Sequence, residues 1–436
     1  MTEGTPGQRL VYLDNLRLFL VGAVIVFHMT IVFSAAAPYW YFITRGMGLA
    51  EWLTGLAFVF FLQSFFMGTF FALAGFFTPG SLDRKGTGVF VRARVIRLGV
   101  PFLVFALVIG PLLRLAGIRL QGLESSGGWQ MYFRSTGDSA FLDGPLIGAG
   151  PLWFCAFLLV FTLAYVAWRV WLSPRRAGSA QLPSAPEAET ARAGGATAVQ
   201  SASTSLDQGE LGRAPATLLP VGPALLRIFV FMIALGLVSW AFRFLVPYWS
   251  FIPYIDAPSP FFLPQYVAFF VVGIIAWRRG WLDRLPTRVG GIAFTIAIIA
   301  SLIMVPAALF DRDVFLAGTW LTTDVLDVMP MFDPTSFKAF ILAMWEGIYA
   351  VGITLGFVVL FRAHFKGQIR IAKAWSESAY AAFVIHPIVV TFVGWAVSLL
   401  SINLFAEFYI AAIIAVPLCF TLGWALRLIP AVRRVL

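Results

Sequence analysis

Charge is scarce in this chain: of its 436 residues only 12% are Asp, Glu, Lys or Arg, about half the share of an ordinary soluble domain. So few charged side chains cannot clothe a water-soluble body of this size, which excludes an ordinary cytosolic enzyme. Cysteine is scarcer still. Cys155 and Cys419 lie far apart, each inside an apolar run, and supply neither a disulfide framework nor a zinc site. The sequence also lacks a phosphate-binding glycine loop with its following lysine, an HExxH pair, a GxSxG elbow and a dinucleotide fingerprint. No short repeat appears, and the apolar content is too high for collagen, a coiled coil or a disordered chain.

What the chain has is hydrophobicity, 60% of residues with a mean hydropathy of +0.87. A helix needs about 20 apolar residues to cross a bilayer. Ten runs reach that length, near 16–37, 51–77, 95–117, 150–172, 223–246, 262–280, 289–310, 337–361, 378–400 and 405–427. They are continuously apolar and do not alternate with period two, which excludes a transmembrane β-barrel. The expected fold is therefore all-α, a polytopic membrane helix bundle of about ten transmembrane helices.

The net charge of +10 is a matter of topology. With a cytoplasmic N-terminus and alternating spans, 24 of the 31 Lys and Arg fall on the inside. That bias sets the orientation, with both termini cytoplasmic, and it removes nucleic acid from the expected partners. Arg17, the following apolar run and Ser34-Ala35-Ala36-Ala37 imitate a signal peptide with its cleavage site. We read the run as a retained first span, because it carries a histidine and its removal would leave nine spans of odd topology.

Residues 173–222 are rich in Ser, Ala, Gly, Pro and Thr and contain no Phe, Trp or Tyr. Such a segment buries too little apolar surface to offset its ordering entropy. It reads as a disordered cytoplasmic linker between residues 1–172, with four spans, and residues 223–436, with six. Three outer loops stand out: polar 118–149 with Trp129, an aromatic cap at 247–261, and acidic 311–336. Asp333-Pro334 reads as the start of the eighth span. Asp324 and Asp327 read as solvated, without the ligand density of a calcium site, and no metal is expected.

Ionisable groups inside spans cost a few kcal/mol each, so each one calls for a functional explanation. In the first span Asp14, Arg17 and His28 share one helix face, within about 60° of each other. Asp14 and Arg17 can pair across one turn, as a structural pair or as part of an inner vestibule. His28 stands about 21 Å further along, near mid-membrane. It is either a general base or a buried histidine bonded to a neighbouring carbonyl. Arg94 and Arg97 open the third span one turn apart; two forked guanidiniums suit phosphate groups, and the same arginines also fit a plain cytoplasmic charge signal. In the ninth span His386 precedes Pro387, which frees a carbonyl one turn back. Glu346 is the lone acid well within the eighth span, expected neutral or paired or bonded to a neighbouring helix. His364 sits in a basic inner loop and reads as solvated.

In this order these residues resemble the acyltransferase-3 family of integral membrane O-acyltransferases. The matches are Asp14, Leu16-Arg17 and His28; a phenylalanine-rich span ending in Ala74-Gly75; Arg94, Arg97 and Pro101; Gly150-Pro151-Leu152-Trp153-Phe154; and Ser378, Tyr380 and His386. They run from the first span to the ninth. One departure is Ala74, where the family usually has Ser, so no hydroxyl chemistry is expected there. The resemblance implies transfer of a small acyl group, acetyl or succinyl, from cytoplasmic acyl-CoA to a hydroxyl of an extracytoplasmic saccharide, glycan or lipid. It implies that Arg94 and Arg97 contact the CoA phosphates and that His28 is essential, either as the base that deprotonates the acceptor hydroxyl or by way of an acyl-histidine. His386 is expected to position the acyl thioester or its oxyanion and Glu346 to assist as a third polar group, with no bound cofactor beyond the acyl-CoA donor. It also implies a bacterial cell membrane as the location. The rival class is a proton-coupled transporter or lipid flippase, which broken helices and intramembrane His and Glu would suit; the halves show no inverted repeat. A non-catalytic membrane subunit is a third possibility.

Overall fold

The computed structural model describes residues 10–34, 40–44, 46, 48–122, 148–171, 218–248, 250–252, 257–258, 260–309 and 330–436. Outside these lie the linker up to residue 217, Trp129 and its polar loop, Trp249 and 253–256 of the aromatic cap, and Asp311, Asp313, Asp324 and Asp327. Ten helices among the described residues are long and apolar enough to cross a membrane: Val11–Ser34, Ala50–Lys85, Thr87–Leu120, Gly150–Trp171, Val221–Phe242, Pro260–Arg279, Thr287–Leu309, Phe337–His364, Arg370–Ser398 and Leu404–Leu426. They are numbered spans 1 to 10. The fold is an all-α, multi-pass membrane bundle; its one sheet among the described residues pairs only Phe251–Ile252 with Ala257–Pro258.

Continuous apolar sequence becomes helix here because a backbone in hydrocarbon must satisfy its own N–H and C=O groups. The helices outlast the apolar runs where polar ends reach water. Span 9 begins at Arg370, eight residues before its run at 378, so His386 stands about 24 Å from the helix start instead of the 12 Å counted from the run. Breaks are repaired locally. Span 2 is interrupted between Gln63 and Phe66, and there Gln265 of span 6 donates to the Ser64 carbonyl at 2.8 Å.

Span 8 is the most enclosed of the ten. Spans 1, 5 and 7 pack on it, span 9 packs on spans 1 and 10, and span 2 packs closely on span 6. Lipid supplies no hydrophobic drive between helices, so close contact rests on small residues and polar links. Gly75 of span 2 faces the Phe270 carbonyl of span 6, and Gly273 of span 6 faces the Ala72 carbonyl of span 2, each too close for a Cβ. Thr69 and Thr354 join spans 2 and 8 at 2.6 Å. The glycine of Ala74-Gly75 thus has a packing role that any side chain would obstruct.

Spans 1 and 9 run parallel, and contacts at two levels show it. Near their first residues, Gln368 donates to the Asn15 side chain at 2.8 Å and Ser376 to the Asp14 carbonyl at 3.5 Å. Deeper in, His28 meets His386 at 3.2 Å.

Candidate active site

The sequence Phe383-Val384-Ile385-His386-Pro387 explains the state of the first histidine. Pro387 lacks an N–H, so the Phe383 carbonyl one turn earlier loses its helical partner. His386 Nδ1 lies 2.5 Å from that carbonyl, which can only accept. His386 therefore carries its proton on Nδ1 and presents a bare Nε2. That Nε2 lies 3.2 Å from His28 Nδ1, and His28 Nδ1 is also 2.9 Å from the Val24 carbonyl. Both neighbours accept, so His28 Nδ1 is the donor. A neutral imidazole has one N–H, and His28 Nε2 is left with a lone pair. The backbone thus fixes the tautomers of both rings, and the outcome is a histidine ready to take a proton at Nε2.

Aromatic rings hold the pair. Trp40 stacks on His28 with centroids 4.4 Å apart and planes 30° apart, and reaches over His386 at 6.3 Å. Phe27 meets His28 edge-on at 5.0 Å. His386 is fully buried, whereas His28 is half-buried.

Toward the start of span 3 a second group forms. The reading of one regular helical turn is modified there, because Val95–Gly99 is π-helical, a form that recurs at functional sites. Arg94 lies over the Phe90 ring at 5.2 Å and Arg97 over the Tyr380 ring at 5.7 Å. The positive charges of Arg97 and Arg17 both act on Arg94, so three guanidiniums share this end of the bundle. Arg17 also bonds Asp14 at 3.4 Å and covers Phe77 at 5.3 Å. Asp14 is 9% exposed. Tyr380 fastens the π-turn by donating its hydroxyl to the Arg97 carbonyl. Arg97 also donates to the Leu436 carbonyl at 3.3 Å.

Trp153 is core. Its ring packs on Tyr266 at 5.3 Å and Phe157 at 5.1 Å. Gly150, three residues earlier, has φ +45° and faces the Phe105 ring and the Tyr41 hydroxyl, so that position requires glycine.

Glu346 stands apart from the histidines. Its carboxylate is bonded to Arg243 and to the Tyr248 hydroxyl, and among the described residues no hydrogen bond joins it to His28 or His386. Arg243 and Glu346 are 1% and 3% exposed. Burial, and next the Glu346 charge, push the Tyr248 phenol well above its ordinary range, so it is a neutral donor. Sequence reasoning passed over Arg243, although an arginine inside the apolar run 223–246 was a signal as strong as Glu346. It also passed over Tyr248 and Trp40, which lie outside the spans and carry no motif. A cavity of about 290 Å³ between spans 2, 5, 6 and 8, lined by Phe76, Ile228, Phe269 and Leu355 among others, includes none of these site residues.

In comparison with known proteins, a family model of the acyltransferase-3 type, described as an acyltransferase domain, matches residues 10–424. No curated protein and no solved structure matches the chain.

Proposed function

Because the chain belongs to this family of acyltransferases, we propose that it moves a small acyl group, of acetyl or succinyl type, from a cytoplasmic acyl-CoA to a hydroxyl of an extracytoplasmic saccharide, glycan or lipid. The observation that carries this reading is the fixed tautomer of His28. The acceptor hydroxyl gives its proton to Nε2 as its oxygen attacks the thioester carbonyl carbon. The C–O bond forms, the tetrahedral intermediate collapses, and the C–S bond breaks. The departing CoA thiolate then recovers the proton from His28, and no residue ends the cycle altered. When Nε2 takes the proton, the imidazolium still donates through Nδ1 to Val24 O and to the bare Nε2 of His386. His386 thereby stabilises the charge that His28 acquires, the positioning logic of a general-base pair.

The cationic end of span 3 supports the donor side of the reading. Arg94, Arg97 and Arg17 converge where CoA phosphates would enter from the cytoplasm, and forked guanidiniums suit such phosphates. Spans 1 and 9 bring their first turns to that same end while the histidines sit deeper, which suits a donor that reaches inward with its thioester leading. Glu346, held by Arg243 and Tyr248, serves the frame of the acceptor side. On this reading the protein resides in a bacterial cell membrane with both termini cytoplasmic.

Purified protein in nanodiscs, given labelled acetyl-CoA or succinyl-CoA together with a saccharide or lipid bearing free hydroxyls, provides the test. Wild type is expected to bind the donor and release CoA. His28→Ala should bind equally and release none. Arg94→Ala/Arg97→Ala should weaken donor binding by at least about tenfold, from the 1.5–3 kcal/mol of one charged hydrogen bond. Folded wild type that binds neither donor would overturn the proposal and favour transport.

A further inference from the structure

Three N–H groups belong to the ring cluster around His28. Two are spent: His386 Nδ1–H on the Phe383 carbonyl and His28 Nδ1–H on Val24 O and His386 Nε2. The third is the indole N–H of Trp40. It is buried, on a residue 4% exposed, and has no hydrogen-bond partner among the described residues. Buried donors are nearly always satisfied, and one left over in a native fold needs a reason. Its place supplies one, because the ring that carries it lies stacked on the imidazole of His28.

The reaction written above needs one more thing than a base. As the acceptor oxygen attacks, negative charge develops on the carbonyl oxygen of the thioester, and preorganised N–H donors aimed at that oxygen are the usual source of rate in acyl transfer. Neither histidine can serve. Their Nδ1–H groups are committed, and their Nε2 atoms offer lone pairs that would repel an oxyanion. The guanidiniums of span 3 are assigned to the far end of the donor. Among the three rings the indole alone has a donor to offer, and among the described residues it has no competing partner to give up.

We propose that Trp40 is a catalytic residue whose Nε1–H donates to the acyl carbonyl oxygen and stabilises the oxyanion, while its ring holds His28 in place. The assignment rests on the acyl-transfer reading and adds to it the group that bears the developing charge. The acceptor hydroxyl is the wrong partner for this N–H. A donor bonded to the attacking oxygen would draw density from the nucleophile and slow the step that His28 promotes.

Two substitutions at one position separate the N–H from the ring. Trp40→Phe keeps an aromatic face without the donor. Trp40→β-(3-benzothienyl)alanine, introduced by codon suppression, keeps the full bicycle and replaces N–H with sulfur. Each is compared with wild type for thermal stability, acetyl-CoA affinity by calorimetry, and kcat and KM for CoA release. Both variants are expected to melt and to bind donor as wild type does, and to lose about 10² in kcat, the scale for one oxyanion donor. A benzothienyl variant with wild-type kcat overturns the assignment whatever Trp40→Phe does, since packing alone would then suffice. A raised acceptor KM at unchanged kcat also overturns it, because the N–H would then hold the acceptor. Wild type that binds donor but turns nothing over strikes the acyl-transfer reading itself, and this assignment falls with it.

Discussion

Replacing Glu346 with Gln keeps the volume and an acceptor for Tyr248 but removes the one negative charge among the described residues that is bonded to Arg243. The guanidinium is 1% exposed, and its Nε and Nη1 already have no hydrogen-bond partner among the described residues, so none of the described residues takes over the lost interaction. Breaking a buried pair by deleting one partner costs about 3–5 kcal/mol. At 1.4 kcal/mol per decade, that lowers the folded-to-unfolded ratio by roughly 10²–10³·⁵. The same reasoning gives an opposite result for the double variant Arg243→Met/Glu346→Leu. Removing both charges removes both desolvation costs, and well-packed apolar replacements of such pairs are commonly neutral or stabilising by about 1–4 kcal/mol. The assay is equilibrium unfolding in mixed dodecyl maltoside and SDS micelles, followed by fluorescence of the 15 tryptophans. Glu346→Gln should unfold at a markedly lower SDS fraction, while the double variant should match or exceed wild type. A single variant as stable as wild type would refute the claim that this is a dry, mutually dependent pair. So would a double variant as damaged as the single one. Activity separates the frame from the chemistry: a stable double variant that still releases CoA removes Glu346 from the reaction.

Two further outcomes follow from the packing. Gly75→Val should destabilise the bundle by about 1–3 kcal/mol, the usual cost of overpacking, because any Cβ there meets the Phe270 carbonyl. Gly88→Val should be tolerated in the same SDS titration, since a Cβ at Gly88 meets nothing within 4 Å. His386→Phe fills the buried site but removes the acceptor for His28 Nδ1–H. It should lower kcat for CoA release by about 10²-fold, within the range of general acid–base contributions, and leave donor affinity unchanged. Unaltered kcat would show that Val24 O alone suffices to orient His28.

The sequence alone determined the class of the protein and the number of its spans. Hydrocarbon offers no partner to a backbone N–H or C=O, so a long apolar run has one viable conformation and can be read locally. It also singled out His28, His386, Glu346 and the two arginines, because ionisable groups are expensive in a membrane and stand out against so apolar a background. Even the protonation of His386 was half legible, since Pro387 announces a carbonyl in need of a donor. Who meets whom was decided by the tertiary structure. His28 and His386 are 358 residues apart, and only the parallel packing of spans 1 and 9 makes them a pair. Glu346 has the same hydropathy signature as a catalytic acid, yet the approach of Arg243, 103 residues away, gives it a different partner. The π-turn at Val95–Gly99 escaped a reading based on 3.6-residue periodicity. Trp40 escaped altogether, because a tryptophan beside a span is common, and what marks this one is a buried N–H left without a partner among the described residues.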